Sequence, residues 1–178
     1  PLFLESCRRN PDIDWLLFSD CGVPEGLPEN VRVEPIDYAS YCAQVSARLG
    51  INFAPENPYK LCDLKPALGY VHQEHLKGYD FWAFGDLDLI YGRLREYFTT
   101  ARLARYDLYS THARRVSGHL CLIRNTDTMR RAFMRMPRSL PRVYTPALPR
   151  FRSSAPRTCP CPPLPERPRS YPRRAAAP

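Results

Sequence analysis

The sequence predicts an α/β fold, and three observations carry that expectation. Short apolar runs bounded by turn residues alternate with segments of helical periodicity. The most apolar run, Phe-Trp-Ala-Phe at residues 81–84, is too short for a helix and opens directly into Gly85-Asp86-Leu87-Asp88. Apolar residues make up 44% of the 178-residue chain and aromatics 12%, enough to bury a sizeable core.

Taken in order, residues 2–9 read as a short helix that Asn10 and Pro11 break, and residues 15–18 as a buried strand ending in Ser19-Asp20. Gly22, Pro24, Gly26 and Pro28 mark a loop, residues 31–36 alternate as a strand, and residues 38–49 form a helix stopped by Gly50. Leu61, Leu64, Leu68, Val71 and His75 recur at spacings of three and four, one face of a helix that ends at Gly78. Pro66 has no amide hydrogen to donate, so regular helix is expected only after Lys65. Past Asp88, residues 91–98 read as helix, 106–110 and 119–123 as strands, and 127–136 as a final helix. Apolar strands between helices imply a sheet covered on both faces.

The net charge of +8 would by itself suggest a nucleic-acid partner, so its position matters. Residues 137–178 hold nine Arg, no Lys and one acid, Glu166, whereas the 17 basic and 17 acidic residues of 1–136 cancel. Residues 1–136 therefore carry no electrostatic signal for nucleic acid. The tail also holds 12 of the 20 prolines and no apolar periodicity, which predicts a disordered Pro/Arg-rich segment without a core. Its functional reading is a basic arm that binds nucleic acid or SH3-like domains. An out-of-frame reading of GC-rich coding sequence would give the same composition. Cysteines are scattered without metal-type spacing apart from the lone CxC of Cys159 and Cys161, which fits a reduced, cytoplasmic compartment. No stretch of 18 apolar residues and no signal peptide is present, so no transmembrane segment is expected. The chain begins without Met in a helix-like segment, as it would if a preceding strand were missing.

Ligands of open α/β sheets bind beyond the carboxyl ends of strands, and Asp86 and Asp88 occupy such a place. Two carboxylates separated by one residue can aim at one divalent cation, Mn²⁺ or Mg²⁺, that bridges a diphosphate. At the end of a buried strand their mutual repulsion has a shared cation as its only evident compensation. His72 and His75, three residues apart with no third ligand nearby, read as structural.

The block NPYKLCDLKPALGYVHQEHLKGYDFWAFGDLDLIYGRLREYF, with SGHLCLIRNT after it and LFLESCRRNPDIDWLLFSD before it, resembles a family of bacterial GT-A glycosyltransferase-like proteins of surface polysaccharide synthesis. The likeness covers about residues 1–136. It implies a Rossmann-like GT-A domain, incomplete here, with a nucleotide-diphosphate sugar as donor and a saccharide or lipid-linked acceptor. It also implies a cytoplasmic location, at most peripheral at the inner membrane face. The family pattern places Asp86 and Asp88 on the metal and the donor, and Asp20 near the nucleoside. Lys60, Asp63 and Lys65 match a KxxDxK element that touches ribose or phosphate. Ser117, Gly118 and His119 match an SGH element against the sugar. Two departures stand out, the absent first strand and the tail that replaces everything after Met136, so the chain is expected to be a fragment whose own activity is open. A competing resemblance is to haloacid-dehalogenase-type phosphatases, whose nucleophile loop DLDLI imitates, although Asp86 lies in mid-chain and Ile90 stands one place late. A third reading is a basic binding protein acting through its tail.

Overall fold

The computed structural model describes residues 2–112 and 115–135, together with the backbone of Thr158–Cys159. Helix α1 (Leu2–Arg8) leads into strand β1 (Trp15–Ser19), which pairs in parallel with β2 (Val31–Pro35). Helix α2 (Tyr38–Leu49) begins at Asp37, whose side chain accepts a 2.9 Å hydrogen bond from the Ser40 amide. It ends at Gly50, in the left-handed conformation (φ 67°) that a residue with a β-carbon adopts only at a cost.

The second sheet has the order β3-β5-β4-β6, with β3 (Phe81–Gly85), β4 (Leu108–Ser110), β5 (Leu120–Arg124) and β6 (Thr158–Cys159). Its β3–β5 and β5–β4 pairs are antiparallel, whereas β6 joins β4 in parallel. Short helices α4 (Leu94–Tyr97) and α5 (Thr100–Leu103) connect β3 to β4, and α6 (Asp127–Arg130) follows β5. The expectation of a disordered tail falls on residues outside the described set, apart from the two-residue strand β6.

The structure is mixed α/β, but it departs from the sequence reading at two places. Regular helix begins only after Lys65, as expected, but it is about one turn long and does not run on to Gly78. Pro58–Ala67 is a 3-10 segment, helix α3 spans only Leu68–Val71, and Gln73–Leu76 is a further 3-10 turn. Pro66 removes an amide donor from the i to i−4 ladder and accounts for the tighter pattern up to Ala67. The apolar face was nevertheless read correctly, since Leu64 and Val71 are buried with Cys42, Val45 and Phe53, and Leu61 and Leu68 pack on them.

The strands, second, are not covered evenly on both faces. Trp82 and Phe84 of β3 are buried opposite Ile123 and Cys121 of β5 and pack with Met129. The opposite face is covered at Phe81 and Tyr109, the latter packed against Phe98, while Ala83 is exposed. Strand β1 is half-buried throughout. It has one paired edge among the described residues; Trp15 and Leu17 pack with Leu4 and Cys7 of α1, while Phe18 packs on Tyr41 and His72.

Candidate functional site

Asp86 follows the last residue of β3, and its backbone amide donates to the His119 carbonyl (3.1 Å), extending the β3–β5 ladder by one bond. Its side chain is thereby fixed at the carboxyl end of the strand. Lys65, from the end of the 3-10 segment, donates from Nζ to Asp86 Oδ1 and to the Gly118 carbonyl at 2.9 Å. His119 donates from Nδ1 to the other carboxylate oxygen, Oδ2, at 2.8 Å. Three segments distant in sequence thus meet on one carboxylate. Burial works to raise the Asp86 pKa, but the hydrogen bonds and charges of Lys65 and His119 outweigh it and hold the group below its ordinary value.

The loop that presents Gly118 and His119 is organised by hydroxyls. Ser117 is buried; its Oγ accepts from Thr111 Oγ1 (2.7 Å) and from the His119 amide (3.3 Å), and its own amide donates to Ser110 Oγ (3.0 Å). Ser117 therefore shapes the turn from within. Gly118 faces open space where a side chain would stand. Beside it lies an open cleft of about 430 Å³ lined by Thr111, His112, Arg115, Val116, Ser117, Gly118 and His119.

Asp88 is exposed, with no ion pair among the described residues. Asp20 is exposed at the carboxyl end of β1, where the Cys21 thiol donates to Oδ1 (3.3 Å), and it touches none of the Asp86 group. Lys60 and Asp63 pair with each other (3.2 Å) on the solvent side of the 3-10 segment. The structure therefore brings together Lys65, Asp86, Gly118 and His119, with Ser117 beneath, and leaves Asp20, Lys60 and Asp63 outside their contacts.

Two residues central to this geometry were not singled out by sequence reasoning. Tyr91 donates from its hydroxyl to the Asp86 carbonyl at 2.9 Å, and its ring packs on Trp15 and Phe3. Burial first, then the nearby Asp86 charge, push its phenol up to about 12, so it stays a proton donor. A β-carbon on Gly85 would overlap that same hydroxyl. The available signal was the glycine directly before Asp86 together with an aromatic residue soon after the two acids. His72, by contrast, is structural as expected: it is buried, stacked on Phe18 (4.3 Å), and bonded through Nε2 to the Tyr41 hydroxyl (3.0 Å).

A family model described as "Family of unknown function (DUF6625)" matches residues 1–147. The chain belongs to that family. The match takes in the whole Asp86 group and runs past Met136, whereas no curated protein and no solved structure matches the chain.

The expected divalent cation can be weighed against the donor set. No cluster of three or more His, Cys, Asp or Glu side chains suited to a metal occurs among the described residues. Asp88 offers a carboxylate open to solvent two residues after Asp86, and hard oxygens of this kind suit Mg²⁺ or Mn²⁺ with water and phosphate completing the shell. Both oxygens of Asp86 already accept a hydrogen bond, and Lys65 contributes a full positive charge. A cation at this pair would find carboxylate oxygens of suitable chemistry and would have to displace Lys65 from Asp86.

No helix of the described residues is long and apolar enough to cross a membrane. Cys7, Cys21, Cys42 and Cys62 carry free thiols, and burial pushes that of Cys7 up to about 11.

Proposed function

We propose that this member of the DUF6625 family is a GT-A-type glycosyltransferase-like protein that binds a nucleotide-diphosphate sugar at Asp86 and Asp88 for transfer to an acceptor hydroxyl. The observation that supports it best is the convergence of Lys65, His119 and the Gly118 turn on an acid at the end of β3. A strand end with a fixed carboxylate, a movable ammonium and an open glycine turn suits an anionic, sugar-bearing ligand.

In this reading Asp88 and Asp86 would hold Mn²⁺ or Mg²⁺, which when bound would supply positive charge against a diphosphate leaving group. His119 keeps the Asp86 carboxylate aimed, and Tyr91 fixes the backbone beneath it. Lys65 offers a single charge to a phosphate oxygen. Gly118 lets the sugar approach the backbone closely, and the cleft beyond it is where an acceptor saccharide or lipid-linked sugar would lie.

The test is release of UDP or GDP from nucleotide-sugar conjugates with Mn²⁺ present, using water or added saccharide as acceptor. Wild type should release nucleotide from at least one conjugate, and Asp88→Asn should not. Release that is equal in both proteins would sink the proposal.

A further inference from the structure

We propose that Lys65 is the internal counter-ion of Asp86, and that a divalent cation gains the Asp86 and Asp88 pair by displacing it. The ion pair is shielded from solvent, with side-chain exposures of 18% for Lys65 and 25% for Asp86, so screening weakens it little. Lys65 also donates to the Gly118 carbonyl, and its partner carboxylate is held from the other side by His119. The repulsion expected of two bare neighbouring acids is thus already relieved at Asp86 by protein charge, while Asp88 stands exposed.

The consequence is a linkage between cation and anion. The backbone at Lys65 is fixed, because Leu64 and Ala67 on either side of it are 3% and 2% exposed, but its four-carbon stem can swing. A cation arriving by itself evicts the ammonium and leaves it with only the Gly118 carbonyl. A cation arriving with a diphosphate gives the freed ammonium a new anionic partner. Each ligand should therefore tighten the other by the same factor. This coupling rests on the diphosphate ligand proposed above, and the displacement rests only on the cation proposed with it.

The experiment is a titration of the full chain with Mn²⁺ alone, followed by electron paramagnetic resonance. It compares wild type with Lys65→Met, Lys65→Arg and, as an exposed control, Lys60→Met. Removing the competing charge should tighten Mn²⁺ binding by Lys65→Met at least about tenfold, whereas Lys65→Arg and Lys60→Met should resemble wild type. Asp86→Asn placed on Lys65→Met should abolish the gain. Circular dichroism checks folding, and Lys65→Gln replaces Lys65→Met if the latter does not fold. Mn²⁺ affinity in the neutral variant equal to or below that of wild type overturns the proposal. A second arm adds UDP or GDP. Tighter Mn²⁺ in Lys65→Met with no nucleotide bound by any form keeps the counter-ion and removes the transferase reading. Mn²⁺-dependent nucleotide binding with Mn²⁺ affinity unchanged by Lys65→Met does the reverse.

Discussion

At position 85 the fold has room for a hydrogen and none for a methyl group. Gly85→Ala would drive its β-carbon into the Tyr91 hydroxyl, and overpacking of this kind costs about 1–3 kcal/mol. Tyr91→Phe removes the obstructing oxygen, so the double variant should recover part of the loss, a coupling of about 1 kcal/mol in urea denaturation. Additive losses would show that the two groups do not compete for that space. His72 makes a second residue-scale prediction. Burial lowers its pKa from 6.5 to about 4, with His75 and Arg48 adding to the effect. The unfolded chain then takes up a proton between those values while the folded one does not, and stability falls as pH drops through that window, by about 3 kcal/mol in full. Denaturation midpoints from pH 7 to 4 should show this slope, and His72→Gln should flatten it. Asp86 has the ordinary carboxylate sign: its depressed pKa contributes stability at neutral pH that is lost as pH falls through the folded value.

The elements differ in how openly the sequence declares them. Helix α2 was legible at its end, because Gly50 is a stop signal that acts locally; Asp37, which caps its start, is a local signal that the sequence reading did not use. Asp37→Ala should cost about 1 kcal/mol in thermal denaturation and leave the proposed Mn²⁺ binding unchanged, since α2 packs on α3. Altered Mn²⁺ affinity in that variant would mean the site depends on α2 after all. Residues 58–76 were legible as an apolar face and not as a helix type. Side-chain spacing reports which positions face the core, whereas the 3-10 geometry up to Ala67 follows from Pro66 and not from that spacing. The sheets were legible as strands but not as partners. Nothing local in residues 15–19 and 81–85 states that one pairs in parallel with β2 and the other antiparallel with β5, because pairing is decided by contacts distant in sequence.

Across the whole molecule, the candidate site was readable where one strand end sufficed and obscure where segments had to converge. Asp86 could be named from the apolar run before it, but Lys65 could not be told from Lys60 on sequence grounds. Only the fold shows that Lys65 reaches Asp86 while Lys60 stays with Asp63 in solvent. The sequence also implied that the acid pair is destabilising without a cation. The structure corrects this for Asp86, which the Lys65 ammonium pairs and His119 hydrogen-bonds. Asp86→Asn should therefore lower stability without metal by about 2 kcal/mol, the scale of a hydrogen bond to a charged group, and the exposed Asp88→Asn should leave it within error. The most direct test of the proposed donor site is calorimetric titration of UDP and GDP, with and without Mn²⁺, into wild type and Asp88→Asn. The account predicts binding of one nucleotide by wild type only when Mn²⁺ is present, and none by Asp88→Asn. Equal affinity in both proteins, or tight binding that ignores Mn²⁺, would contradict it.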